Sequence, residues 1–293
     1  QWIDALENEL ARLSPALKMH DFKPFSWNFY RIKILLDAIR IKKILVQRLC
    51  DAEKPLSIGA PPPAIPSQIR DHHLFFYRDE SIYGLIAKKI AERSPIQIST
   101  WGKAPFTRNP PQTIAQRCAS LCKRIQRETK LLSAKSTTKE KRSVLLGSLD
   151  YETESLRREL SHAFRFYYFK SSGEIISLDN FRKINISKNC IPFPKTDFRG
   201  FAAEIPITKD ATIDTILSQR INAYAEHYLA YIWDAAQTLA CADKTHDFSA
   251  YIHPAGASDA ISAIPIHYFD TKHTPVFILQ HGAYGFAHNR MTE

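Results

Sequence analysis

The feature that most constrains this chain is a recurring one: a short apolar run that reads as a strand, a polar or glycine-bearing turn, then helical spacing. Ser143-Val144-Leu145-Leu146-Gly147 is followed by Ser148-Leu149-Asp150 and a helix to about residue 162. Phe248-Ser249-Ala250-Tyr251-Ile252 is followed by a His253-Pro254-Ala255-Gly256 loop and a helix over 259–268. Pro275 then opens Val276-Phe277-Ile278-Leu279, which reads as a fully buried strand and breaks into Gln280-His281-Gly282. Strands alternating with helices build parallel sheets, and open parallel sheets place their chemistry in the loops at the carboxyl ends of the strands.

The same pattern extends upstream. Trp2, Leu6, Leu10 and Leu13 recur at three and four and predict a helix that stops at Ser14-Pro15. Residues 28–50 continue helical spacing with Arg31, Lys33, Arg40, Lys42, Lys43 and Arg48 on a basic face, read either as a solvated face or as a contact with an anionic membrane. Strands are predicted over 55–60 and 95–100 with a helix over 80–93 between them, and two more strand-like runs over 164–169 and 174–178. A basic helix is expected over 112–133, an exposed basic connection over 135–142, a loop over 190–201, and one long helix over 211–242. Together these give an α/β, Rossmann-like fold, a mostly parallel sheet with helices on both faces. An N-terminal helical segment of residues 1–50 is expected to precede a domain over 51–293.

Composition narrows the partners. The chain has 293 residues, 44% of them hydrophobic, enough to bury a substantial core. No stretch reaches the ~18 consecutive apolar residues of a membrane span. A net charge of +10 predicts attraction to phosphate-bearing partners, whether nucleotide sugars, lipid-linked glycans or anionic membrane. Nucleic acid is not expected, because no RNP-type strand or C2H2 spacing is present. The five cysteines are odd in number and scattered, which suits a reducing compartment, and a cytoplasmic location is expected. Cys118 and Cys122 lie a helical turn apart without a second ligand pair at metal spacing, so neither a metal nor a cofactor is expected. Gln1 in place of a starting methionine suggests a piece of a longer protein.

The chemistry-bearing residues gather at two strand ends. His253 follows one predicted strand and His281 the next; if these strands are parallel neighbours, both imidazoles look into one cleft. Either could act as a base toward a hydroxyl or as a hydrogen-bond donor to a phosphate or carboxylate. Gly282 and Gly285 would let the backbone approach a ligand, and Tyr284 adds a phenol. Asp150, Glu152 and Glu154 suit the start of a helix, with a catalytic carboxylate among them as the alternative. There is no GxGxxG, GxxxxGK[ST], GxSxG or HExxH pattern.

The run Thr274-Pro275-Val276-Phe277-Ile278-Leu279-Gln280-His281-Gly282-Ala283-Tyr284-Gly285, with Glu293 eight residues on, resembles the Gln-His-Gly motif of bacterial surface-carbohydrate transferases. More distantly it is similar to CDP-glycerol glycerophosphotransferases and capsule-type Kdo transferases. The resemblance covers roughly 50 residues. It implies the amino-terminal, acceptor-side half of a GT-B glycosyltransferase, with a donor domain beyond residue 293. It also implies a cleft loop of Gln280, His281, Gly282, Tyr284, Gly285 and Glu293, and a carboxylate near the anomeric carbon for which Asp247, Asp259 and Asp150 are the candidates.

The expected activity is therefore transfer of a sugar from an activated donor, such as CMP-Kdo, to a glycan or lipid-linked acceptor during lipopolysaccharide or capsule synthesis. His281 and His253 stand at the reaction cleft, and peripheral contact with the inner face of the membrane is compatible with it. Two rivals remain: a non-catalytic basic scaffold or nucleic-acid-binding module, and a nucleotide-sugar epimerase or hydrolase.

Overall fold

The computed structural model describes residues 2–63, 79–102, 141–184, 191–202, 205–253 and 260–279. The chain forms two compact units, residues 1–109 with 194–231 and residues 110–193 with 232–293.

In the first unit, α1 (Trp2–Leu13), α2 (Pro15–Met19), α3 (Pro24–Trp27) and α4 (Phe29–Glu53) precede a βαβ element of β1 (Ser57–Ala60), α5 (Ser81–Ala91) and β2 (Gln97–Thr100). The predicted helices over 2–13 and 28–50 are thus present. They fall in the same unit as the βαβ element. Leu6 and Leu10 of α1 and Ile32, Leu35, Leu36 and Ile39 of α4 are buried, as their spacing demands. Phe25 stacks on Phe201 at 5.2 Å and leans on Tyr224 of α7 (Ala211–His227). β1 and β2 are parallel, with Ser57 opposite Gln97, and form a two-stranded sheet of their own. Gly84 of α5 lies against Pro61–Pro63, where a Cβ would collide with the Pro61 carbonyl and stand 2.9 Å from the Pro63 nitrogen.

The first unit also buries a complete ion pair. Asp79 and Arg220 are joined, both side chains wholly inaccessible, and Arg220 also donates to Ser81 Oγ at 3.2 Å. The Asp79 carboxylate accepts the Ser81 amide at 2.9 Å, so the start of α5 is tied to α7 through one carboxylate.

The second unit carries the main sheet. Its elements are β3 (Arg142–Leu146), α6 (Tyr151–Leu160), β4 (Phe164–Phe169), β5 (Ile175–Ser177), the greater part of α8 (Leu229–His246), β6 (Phe248–His253), α9 (Ala260–Thr271) and β7 (Val276–Ile278). The strand order is β5-β4-β3-β6-β7; β4, β3, β6 and β7 run parallel and β5 is antiparallel. Val144, Leu146, Phe166, Leu178 and Ile252 form the core of one face and receive Leu156 and Leu160 of α6. On the other face Tyr251 stacks on Phe269 of α9 at 5.8 Å, and Tyr167 meets His246 of α8 at 4.8 Å. Helices therefore cover both faces, as the mostly parallel α/β expectation requires.

A bulge sets this arrangement. Ser143 faces Phe248 but Val144 faces Ala250, leaving Ser249 as the extra residue, whose hydroxyl donates to the Ser143 carbonyl at 2.9 Å. Strict alternation would put Phe248 on the side of Ala250 and Ile252. The slip moves it to the opposite side, 6.2 Å from Phe269.

Three expectations change. The single helix over 211–242 is two helices, with Tyr228 leaving helical geometry at φ −119° and α8 running on to His246. Tyr224, Tyr228 and Tyr231 pack in a row through the break at 5.4 and 5.1 Å, and no glycine or proline marks it. The final strand is not fully buried: β7 is an outer strand of its sheet, and Phe277 and Ile278 are 54% and 49% exposed. His253 does not open a loop; it is the last residue of β6, and its carbonyl accepts the Leu279 amide at 2.7 Å. The helix predicted over 112–133, its Cys118 and Cys122, and the connection over 135–140 lie outside the described residues.

Candidate functional site at the parting of two strands

The strand order locates the site. From β3 the chain passes through α6 to β4 on one side, and from β6 it passes through α9 to β7 on the other. The α6 helix covers the face of Val144 and Ile252, and α9 covers the face of Tyr251. The connections leaving β3 and β6 thus diverge to opposite faces between neighbouring carboxyl ends, the point at which open α/β sheets form a ligand crevice.

On the β6 side stands His253. It is 8% exposed, and its ring lies 5.9 Å from that of Tyr251. On the β3 side is Gly147, whose amide donates to the Ile252 carbonyl at 2.8 Å and carries the pairing one residue past the strand. A Cβ on Gly147 would run into the Tyr251 hydroxyl and the His253 Cδ2. The missing side chain is therefore what lets the imidazole and the phenol lie across the end of β3.

Next along the chain, Ser148 and Asp150 form the entry to α6. The Asp150 carboxylate accepts the Thr153 amide at 3.0 Å and the Ser148 hydroxyl at 2.7 Å, while the Asp150 amide donates to Thr153 Oγ1 at 3.1 Å. This is a capping box, in which both carboxylate oxygens hold the helix entry. Glu154 is similarly engaged: Arg157 donates to both its oxygens at 2.7 and 2.8 Å, which holds its carboxyl below the usual range. For Asp150 the geometry displays the helix-start role. Asp247, another candidate carboxylate, precedes β6 and so lies at the amino end of the strand, away from the crevice.

β6 and β7 are parallel neighbours in register, with Tyr251 opposite Val276, Ile252 opposite Phe277 and His253 opposite Ile278. That is the relation needed for the two strand ends to open at one edge. Of the residues predicted for the cleft, Asp259, Gln280, His281, Gly282, Tyr284, Gly285 and Glu293 lie outside the described residues.

Gly147 and Tyr251 were not among the predicted site residues. A glycine closing an apolar run, followed by Ser-Leu-Asp at a helix start, is the signal that could have singled out the first. Among the described residues no group of three or more His, Cys, Asp or Glu is placed to hold a metal, and no helix is long and apolar enough to cross a membrane.

Compared with protein families, curated proteins and solved structures, the chain matches none of them.

Proposed function

We propose that this chain is a glycosyltransferase of surface-polysaccharide synthesis that binds its glycan or lipid-linked acceptor at the carboxyl ends of β3, β6 and β7. The observation that carries this proposal is the parallel pairing of β6 with β7 beside the point where the chain paths part. It supports a single crevice served by His253 and by the Gln280-His281-Gly282 segment. In the proposed reaction His281 takes the proton of an acceptor hydroxyl as that oxygen bonds to the anomeric carbon, and the nucleotide phosphate departs with the electron pair of the broken glycosidic bond. His253, held on a rigid strand, donates or accepts a hydrogen bond that orients the acceptor.

The test is transfer from a panel of nucleotide sugars, CMP-Kdo included, by the full protein and its His281→Ala variant. Loss of a general base lowers turnover by roughly 10²–10⁴-fold. Undiminished transfer by His281→Ala would remove the proposed base, and nucleotide release that needs no acceptor would indicate a hydrolase instead.

A further inference from the structure

In the first unit α4 and α7 enclose a groove of about 350 Å³ lined by Arg40, Lys43, Ile44, Arg48, Asp210 and Ile213. Its size is that of a small-ligand site, with Ile44 and Ile213 as its aliphatic walls and a larger share of charged groups than such sites usually carry. The charges are distributed unevenly. Asp210 is already engaged, pairing with Lys43 and accepting the amides of Thr212 and Ile213 at the start of α7. Arg40 has only a long contact of 3.5 Å with Asp37, and Arg48 has no acidic partner among the described residues. With its carboxylate satisfied internally, the groove presents the guanidinium groups of Arg40 and Arg48, whose Cα atoms lie about 12 Å apart along the helix axis, a span the two long side chains can close around one phosphate.

A second observation comes from the outer side of the same helix. Ile41, Ile44, Leu45 and Leu49 are each roughly half exposed. Their spacing of three and four places them in one row, with Arg48 among them and Ile44 shared with the groove. Isolated exposed aliphatics are ordinary, whereas a row of four running out of a cationic groove needs an occupant. Guanidinium groups select phosphate, and the row selects an alkyl chain. No aromatic side chain lines the groove among the described residues, so nothing there would stack a nucleotide base.

We propose that this groove binds the phosphate headgroup of an amphiphilic molecule, with Arg40 and Arg48 holding the phosphate and the Ile41, Leu45 and Leu49 row receiving the apolar tail. The site lies wholly within the first unit and is independent of the transfer chemistry at the sheet.

The experiment titrates the whole protein calorimetrically with monomeric dihexanoyl phosphatidic acid and with inorganic phosphate. Sedimentation with phosphatidylcholine vesicles, with or without phosphatidic acid, separates a single amphiphile from a charged bilayer. Each buried methylene is worth about fourfold in affinity, so the short-chain lipid is expected to bind at least about tenfold more tightly than inorganic phosphate. Arg40→Gln/Arg48→Gln is expected to weaken it by about tenfold or more. Ile41→Ser/Leu45→Ser is expected to abolish the preference over inorganic phosphate while leaving phosphate binding intact. These positions are exposed, and unchanged melting curves verify folding. Equal affinity for the two probes, wild-type affinity in the arginine variant, or capture only by charged vesicles without binding of the monomeric lipid would each overturn the proposal.

Discussion

Replacing Gly147 by Ala tests the geometry of the crevice directly. The new methyl group would meet the Tyr251 hydroxyl and the His253 Cδ2 inside van der Waals contact, and the Tyr251 Cζ at 3.1 Å. Tyr251 is fully buried against Phe269 and His253 nearly so, which leaves little room for either ring to retreat. Overpacking of this kind costs about 1–3 kcal/mol. Opposing it, alanine restricts the unfolded chain and returns about 0.4–1 kcal/mol. The net expectation is a loss of roughly 1–2 kcal/mol, or a fall in Tm of about 2–8 °C. Urea unfolding followed by circular dichroism measures it. Tyr251→Phe removes one of the atoms in the way, so the double variant should be more stable than the two single effects predict, by about 0.5 kcal/mol or more. A neutral or stabilising Gly147→Ala, or strict additivity with Tyr251→Phe, would refute the close approach of β3 and the two rings.

Three further outcomes are expected. Asp79→Ala strands Arg220 in a fully buried site and should cost about 3–5 kcal/mol, whereas Asp197→Ala, which breaks an exposed pair with Arg199, should leave the urea midpoint unchanged. Burial pushes the Glu7 carboxyl up to about 7 from its usual 4.5, outweighing the Ser26 amide that donates to it at 2.7 Å. A folded-state pKa above the unfolded value means that the native form holds the extra proton, so this contribution is complete below pH 4.5 and is lost as pH rises through about 7. Unfolding midpoints should therefore fall by the equivalent of about 1–3 kcal/mol between pH 4.5 and 8, and Glu7→Gln should flatten that slope. Asp150→Ala should cost about 0.5–2 kcal/mol through loss of the α6 cap, while Asp150→Asn, which keeps an acceptor for the Thr153 amide, should retain the proposed sugar transfer if the full protein has it; transfer present in the parent and abolished in a folded Asp150→Asn protein would make this carboxylate a reacting group.

The strands of the main sheet were legible because each is an apolar run closed by a turn signal. Ser143 to Gly147, Phe164 to Phe169 and Phe248 to Ile252 fall within a residue of β3, β4 and β6. What the sequence could not disclose was order and side. That β6 pairs with β3 has no local signature, and the break between the two helices over 211–246 falls at Tyr228 without glycine or proline to mark it. The burial of β7 was misread because Val276-Phe277-Ile278 is as apolar as an inner strand, yet an outer place in the sheet exposes two of the three. The Asp79–Arg220 pair was invisible for another reason: 141 residues separate its members, and a buried ion pair has no local pattern. The candidate site divides the same way. His253 could be read from its place after a strand, because strand ends are local. Its partner Gly147 carries a local signal, a glycine closing an apolar run, but not its role, which comes from the bulge at Ser249 and the β3–β6 register that bring Tyr251 and His253 over it. A catalytic reading of the two histidines therefore depends less on the motif around His281 than on the register that fixes where His253 stands, the register that places its ring beside Gly147.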